Sequence, residues 1–502
     1  MVTVKLHHPN GRVQTLCVDS GARLIDVLKP GSVDTPCGGA GRCGKCLVKT
    51  HGRLSEPEDT EIRLLEDRLA HGFRLACRAF VIGDAEVFLP NESSVQSIQE
   101  DGVMPAFPLD PLFSDFGAAI DIGTTTLAGR LYNQNGILLA YASAPNPQRV
   151  FGADVITRIE KSLAGECQVL ACLVRDVIDR LLCSMAESSG IMSERIDTVV
   201  LTGNTTMLYL LTARNPACLS RAPFEADELF GREALPDELS FPAAPKARLF
   251  FARCISAFVG ADITTALLAS QICERPEKAL MVDIGTNGEI ALWDGKTLRC
   301  CSTAAGPVFE GAEISQGMQG RLGAVDHVTR KDSKVACHVI GGGKAVGLCG
   351  SGVIDAVAVL CDLEIIDESG YMEESPYHLT PEVSLTAKDI RMVQLAKSAV
   401  CAGIRTLLDS SAMEVDHLQR LAIAGGFGSF LNLHSAARIS LFPPELENRA
   451  DVLGNAALSG ASMILLNKAC LEHSAELANQ AETVDLTTSP VFTEYYIDGM
   501  EF

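Results

Sequence analysis

Val2-Thr-Val-Lys-Leu6 and Val13-Gln-Thr-Leu-Cys-Val18 alternate apolar and polar residues with period two, on either side of Pro9-Asn-Gly-Arg12. Period two turns one face of a strand toward a core and an Asn-Gly pair supplies a tight turn, so a β-hairpin is expected at the start. Leu24 to Leu28 reads as a short helix, Glu61 to Leu69 as an amphipathic segment and Val81 to Leu89 as a strand. Pro90 to Ser114 is rich in Pro, Ser, Asp and Gln without sustained periodicity, the pattern of a linker, and a hinge is expected there. From Phe116 onward, short β-branched runs ending in Asp or Gly alternate with long helical stretches, as in α/β layers. The clearest strands are Gly117 to Asp121, Asp197 to Leu201, Ala279 to Asp283 and Leu421 to Ala424. Asp121-Ile-Gly-Thr-Thr-Thr126 recurs 162 residues later as Asp283-Ile-Gly-Thr-Asn-Gly-Glu289, which is one duplication and implies two similar halves facing across a cleft.

A chain of 502 residues exceeds what one core supports, so two or three domains are expected. With 47% hydrophobic and 21% charged residues the chain is globular. No uncharged apolar run reaches the ~18 residues of a membrane span, and Met1 to Asp19 reads as strand, turn, strand, so a cytoplasmic protein without membrane contact is expected. The net charge of −21 is uneven: residues 1–90 carry 12 Lys and Arg against 11 Asp and Glu. The acidic remainder argues against nucleic acid as a partner, because phosphate backbones are held by clustered cations. Eighteen cysteines spread over a long chain read mostly as buried thiols rather than disulfides.

Four cysteines differ from the rest. Cys37, Cys43 and Cys46 share the loop Thr35-Pro-Cys-Gly-Gly-Ala-Gly-Arg-Cys-Gly-Lys-Cys46, and Cys77 follows after 30 intervening residues. Four thiolates suit a [2Fe–2S] cluster, and glycines let the backbone wrap it with N–H groups near the sulfurs. Four cysteines can also enclose zinc, although zinc ribbons pair two short knuckles, whereas here three ligands share one loop. The five-residue first gap resembles the adrenodoxin and putidaredoxin type of ferredoxin over residues 1–90. Cys17, within a strand of the same module, is read as a packing residue.

A strand ending in Asp, followed by Gly and hydroxyl residues in a turn, offers N–H groups to phosphate while the carboxylate organises Mg2+. Two such turns, with Ala424-Gly-Gly-Phe-Gly428 after a third strand, resemble the superfamily of acetate and sugar kinases, Hsp70 and actin over about residues 116–470. That resemblance implies that Asp121 and Asp283 face each other. It places Gly123, Thr124, Thr125, Thr126, Gly285, Thr286 and Asn287 at the phosphates, and Gly425 and Gly426 at the adenosine. Glu310 and Glu313, three apart, are second-rank candidates beside the terminal phosphate. Ile340-Gly-Gly-Gly343 and Leu348-Cys-Gly-Ser-Gly352 are either further phosphate contacts or strand-end turns. Cys300 and Cys301 read as buried thiols at a strand end.

A ferredoxin joined to such an ATPase resembles the ATP-dependent reductive activators of corrinoid proteins. Leu201-Thr-Gly-Asn-Thr-Thr-Met207, Phe258-Val-Gly-Ala-Asp262 and Ala305-Gly-Pro-Val-Phe-Glu-Gly-Ala312 also look like that family. Larger members place an extra domain where only residues 91–115 stand here. The implied fold is α/β and α+β multidomain: a β-grasp [2Fe–2S] ferredoxin at 1–90, a linker at 91–115 and a duplicated RNase H-like ATPase at 116–502, with halves of about 116–278 and 279–480. The implied function is one-electron reduction of Co(II) cobalamin to Co(I) on a corrinoid protein partner, serving anaerobic methyl transfer. The implied cofactors are a [2Fe–2S] cluster, ATP and Mg2+. A low-potential electron donor upstream is implied too, with a homodimer left open. A kinase with a regulatory cluster and a nucleotide-binding sensor are the alternatives.

Overall fold

In the computed structural model, described for residues 1–8, 12–28, 33, 41, 46–89, 102–235, 237–331, 334–426 and 430–502, the chain divides into two compact units. The first comprises Met1–Val95 with Pro145–Val174, the second Gln96–Ala144 with Arg175–Phe502. Among the described residues no helix is long and apolar enough to cross a membrane.

The first unit is built on the expected hairpin. Strands β1 (Val2–His7) and β2 (Val13–Val18) pair antiparallel, with Val2 opposite Val18. With β3 (Ala22–Arg23), β4 (Leu47–Leu54), β5 (Phe73–Leu75) and β6 (Phe80–Phe88) they form a sheet of order β2-β1-β6-β4-β5, β3 pairing with β6. β1 runs parallel to β6, the arrangement of a β-grasp. Val4, Leu6, Val48, Leu75, Val81 and Val87 are buried beneath it with Leu24 of helix α1 (Leu24–Val27). The amphipathic segment is helix α2 (Asp59–Leu65) running into a 3-10 turn at Glu66–His71. Cys17 lies in β2 as expected but on its exposed side, because β2 covers the core with Gln14, Leu16 and Val18 instead. Residues 145–174, expected in the nucleotide-binding half, group with this unit and hold helix α3 (Val155–Lys161) and the start of α4 (Cys167–Ser188).

The second unit contains the duplication. Strands β7 (Phe116–Ile122), β8 (Thr126–Asn133), β9 (Leu138–Pro145), β10 (Ile196–Gly203) and β11 (Arg248–Phe251) form a sheet of order β11-β10-β7-β8-β9. Helices α5 (Thr205–Leu211) and α6 (Ala261–Ser270) follow β10 and β11. Strands β12 (Ala279–Ile284), β13 (Gly288–Trp293) and β14 (Leu298–Thr303) begin a second sheet. After the small sheet of β15 (Ala324–Lys331), β16 (Lys334–Val339) and β17 (Gly347–Leu348) come α7 (Gly350–Asp362), the short pair β18 (Tyr377–His378) and β19 (Ser384–Leu385), and α8 (Ala387–Ser410). β20 (Arg420–Ala424), α9 (Leu433–Arg438), β21 (Ala450–Gly454), α10 (Ala456–Leu466), α11 (Lys468–Gln480), β22 (Glu482–Thr483) and α12 (Pro490–Asp498) complete the chain. The second sheet runs β21-β20-β12-β13-β14-β22, repeating the order of the first with one added edge strand. In each copy the strand carrying the repeated Asp ends one residue after it and has one parallel and one antiparallel neighbour.

Of the expected linker, residues 90–101 lie outside the described residues. Residues 102–115 run beside α10 rather than free: Val103 N donates to Leu453 O at 3.0 Å, Asp110 N to Leu466 O at 3.0 Å and Leu112 N to Leu465 O at 2.9 Å. Phe113, buried to 6% exposure, closes the segment against β7.

Candidate functional site

Each repeated Asp is followed by a turn that closes on itself. Gly123 N donates to Thr126 O at 3.0 Å after β7, and Gly285 N donates to Asn287 O at 2.9 Å after β12. A side chain at Gly123 would meet Thr126 O at 2.6 Å, so only glycine fits this turn. Glu310, at the end of the 3-10 turn Pro307–Glu310, joins the two copies: its carboxylate accepts from Thr125 Oγ1 and, at 3.2 Å, from Thr286 Oγ1. Glu313 does not join it, because the turn stops at Gly311 with φ 77° and Glu313 is left exposed beside Gly306. Asp121 Oδ2 accepts from Asn455 Nδ2 at 2.9 Å, and Thr124 Oγ1 accepts from Asn204 Nδ2 at 3.0 Å. Gly425, at φ 109°, brings its backbone so near Asp283 that a side chain would meet Oδ1 at 3.0 Å. Gly426 follows it, whereas Phe427 to Ser429 lie outside the described residues.

The acids of this cleft share one environment. Burial pushes Asp121 up to about 6, against the Asn455 hydrogen bond that lowers it. Burial, then the negative charges of Asp121 and Glu310, push Asp283 up to about 7. Asp262, in the first turn of α6, rises to about 8 through burial and the charges of Asp283 and Asp121. Glu289 on β13 is raised by burial and by Asp262 and Asp283. Among the described residues no three His, Cys, Asp or Glu side chains are arranged to hold a metal ion by themselves. Mg2+ bound with a nucleotide takes much of its coordination from phosphate oxygens and water, so a site for it can be built with few protein ligands.

Sequence reasoning missed Asn204, Asp262, Glu289 and Asn455. The first two lie in Leu201–Met207 and Phe258–Asp262, and Glu289 closes the second repeat. Asn455 had only its place before an apolar run, where Asn is a favoured helix cap. Gly341 and Gly342, at φ 81° and 61°, form the turn after β16. Gly350 lets α7 start against the turn carrying Glu310, since a side chain there would meet Phe309 O at 1.8 Å. Cys300 and Cys301 are buried on β14, and burial pushes both thiols up.

In the first unit Cys46 and Cys77 are buried with their sulfurs 3.3 Å apart, while Cys37 and Cys43 lie outside the described residues. Two thiolates on one tetrahedral metal with bonds of about 2.3 Å sit roughly 3.8 Å apart, so this pair has to part by about half an ångström to share one metal of a cluster. Cys46 O accepts from Ala76 N at 2.9 Å, tying the two cysteine segments together. A fully buried carboxylate sets the second of them: Glu61 takes two hydrogen bonds from Arg74, at 3.0 and 2.8 Å, and one from Leu75 N at 2.9 Å.

Residues 277–502 match the family described as the C-terminal domain of RACo, the ASKHA domain, and residues 116–275 match the RACo middle region. The chain belongs to the RACo family. Residues 7–81 match the 2Fe-2S iron-sulfur cluster binding domain, so the first module of this RACo-family chain is an iron–sulfur domain and not a zinc site. The corrinoid activation enzyme RamQ of Eubacterium limosum is 28% identical over 93% of this chain and 93% of its own. The [Co(II) methylated amine-specific corrinoid protein] reductase of Methanosarcina barkeri is 28% identical over 56% of this chain and 54% of its own. A solved reductive activator for a corrinoid, iron-sulfur protein superposes with a TM-score of 0.73 at 26% identity, covering 100% of this chain and 98% of that one.

Proposed function

We propose that this chain is an ATP-dependent reductive activator that returns the Co(II) corrinoid of a partner protein to Co(I). The carrying observation is the pair of Asp-Ile-Gly-Thr turns tied together by Glu310, in a chain whose first module is an iron–sulfur domain. In this reading residues 1–90 carry the electron, residues 116–502 bind and hydrolyse ATP, and residues 91–115 join them. The [2Fe–2S] cluster, held on Cys37, Cys43, Cys46 and Cys77, supplies one low-potential electron when bound. Glu61 and Arg74 hold the Cys77 segment, and an upstream donor reloads the module.

Asp121 organises Mg2+ and its waters, with Asn455 fixing which oxygen it presents. The turns Gly123 to Thr126 and Gly285 to Asn287 offer N–H and hydroxyl groups to the phosphates, and Gly425 and Gly426 pass the adenosine. Asp283, whose carboxyl is raised to about 7 by burial and then by the charges of Asp121 and Glu310, orients the attacking water. Glu310 exchanges its threonine partners for the phosphate or its metal. The coupling is needed because Co(I) is a much stronger reductant than most [2Fe–2S] clusters. A coupling free energy of ~3 kcal/mol moves a one-electron potential by roughly 130 mV.

The test is ATP hydrolysis and Co(I) formation, followed in the visible spectrum, by anaerobically purified chain and a Co(II) corrinoid protein. Asp121→Ala and Asp283→Ala should each abolish hydrolysis and leave the cluster spectrum unchanged. Turnover at the wild-type rate in both variants would sink the assignment.

A further inference from the structure

The turn from β21 into α10 is gripped from two sides. On one side lies the chain that arrives from the ferredoxin module. Val103 N donates to Leu453 O at 3.0 Å, and Gly102 packs so tightly that a side chain there would meet Ser459 Oγ at 2.3 Å and Asn455 O at 2.5 Å. The same segment holds the far end of α10 through Asp110, whose N–H donates to Leu466 O and whose carbonyl accepts from Lys468 N at 2.9 Å. Asn467 Nδ2 adds a bond to Pro108 O at 2.9 Å.

On the other side lies the nucleotide cleft. Gly454 O accepts from Gly425 N at 3.1 Å, and Gly425 is the glycine lying against Asp283. Asn455 donates from Nδ2 to Asp121 Oδ2 at 2.9 Å while its Oδ1 accepts from Leu458 N at 2.8 Å. Both ends of its amide are committed, so the side chain cannot rotate without giving up either the helix cap or the carboxylate. Three consecutive residues, Leu453 to Asn455, thus touch the arriving chain, the glycine that lies against Asp283, and Asp121 itself.

We infer that residues 102–115 are a strap that sets this turn, and that Asn455 is the positioning residue through which strap and nucleotide site are coupled. The inference rests on the nucleotide reading of Asp121 and Asp283. Linkage makes the coupling reciprocal: whatever the strap contributes to nucleotide affinity returns as a nucleotide-dependent change in how firmly the strap is held. The strap is also where the electron-carrying module joins the chain, so occupancy of the cleft reaches the base of that connection.

The test uses the full-length, cluster-loaded chain. Binding of a non-hydrolysable Mg-ATP analogue is measured first by calorimetry; absence of binding overturns the nucleotide reading, and the strap with it. Given binding, amide exchange at Val103, Asp110 and Leu112 should change about fivefold or more between free and nucleotide-bound protein. Identical exchange in the two states overturns the strap and leaves the nucleotide reading standing. Asn455→Ser keeps a helix-capping oxygen and removes the donor to Asp121, so the KM for ATP should rise about tenfold with the melting temperature unchanged. A wild-type KM would reduce Asn455 to a helix cap and overturn its positioning role. Gly102→Val should raise the KM in the same direction, and the wild-type exchange measurement decides the matter should that variant fail to fold.

Discussion

Glu61 shows how one buried side chain can support a site that it does not enter. Its carboxylate is fully buried, paired with Arg74 and bonded to Leu75 N, two residues before Cys77. Removing one partner of such a pair strands the other charge, so Glu61→Ala should destabilise the ferredoxin module by about 3–5 kcal/mol. The loss would be read as faster bleaching of the cluster on warming, with ATP hydrolysis untouched. Lys397 makes a different case: it is fully buried in α8, donates to Glu501 O, and lies 4.8 Å from the centre of the Phe502 ring. Burial holds its pKa down to about 8, against 10.5 for the free side chain. Between these values the unfolded chain keeps a proton that the folded chain has released, so this residue makes stability rise with pH across that window. The urea midpoint should therefore climb from about pH 7.5 to about pH 10 more steeply in wild type than in Lys397→Met; parallel curves would refute it. Patterns confined to short loops were legible at this scale: the two Asp-Ile-Gly-Thr turns stand at the ends of corresponding strands, and Cys46 and Cys77 come together. Glu61, Asp262 and Asn455 were not, because each meets its partners only through the fold, Glu61 across 13 residues and Asn455 across 334.

Period and spacing gave the hairpin β1-β2 and the central strands β7 and β12, whose apolar faces are fully buried. They gave neither β4, where Lys49, His51, Gly52 and Arg53 dilute the alternation, nor the stop of the Glu310 turn at Gly311. Residues 102–115 read as a linker because the segment has no period of its own; it is ordered by the ends of α10, which no local pattern can announce. α10 itself is apolar all round and wholly buried, the mark of a helix inside a core rather than on its surface. It crosses α6 at Gly460, where a side chain would come within 1.8 Å of Thr265 O. Backbone cannot yield that distance cheaply, so Gly460→Ala should cost about 3 kcal/mol and lower the melting temperature of the second unit alone. An unchanged melting temperature would mean that the two helices part more easily than their packing implies.

At the scale of the whole molecule the net negative charge lies outside the first 90 residues, where acids and bases nearly balance, and the two chemistries lie in separate modules. Coupling them then depends on how the chain between them is anchored. If all of residues 91–115 acted as tether, inserting about 40 flexible Gly and Ser residues would lower the effective concentration of one module at the other about fourfold, by the −3/2 power of length. If the strap inferred above holds from Gly102 onward, the length that counts is that of residues 91–101 alone, and the same insertion at that point costs about tenfold. The insertion should slow Co(I) formation at limiting corrinoid protein by about the larger factor, while ATP hydrolysis and the cluster spectrum stay at wild-type values. A slowdown near fourfold would mean that the strap releases during turnover. No slowdown at all would mean that the electron reaches the corrinoid without the two modules having to meet on it together, and ATP hydrolysis would then need another task.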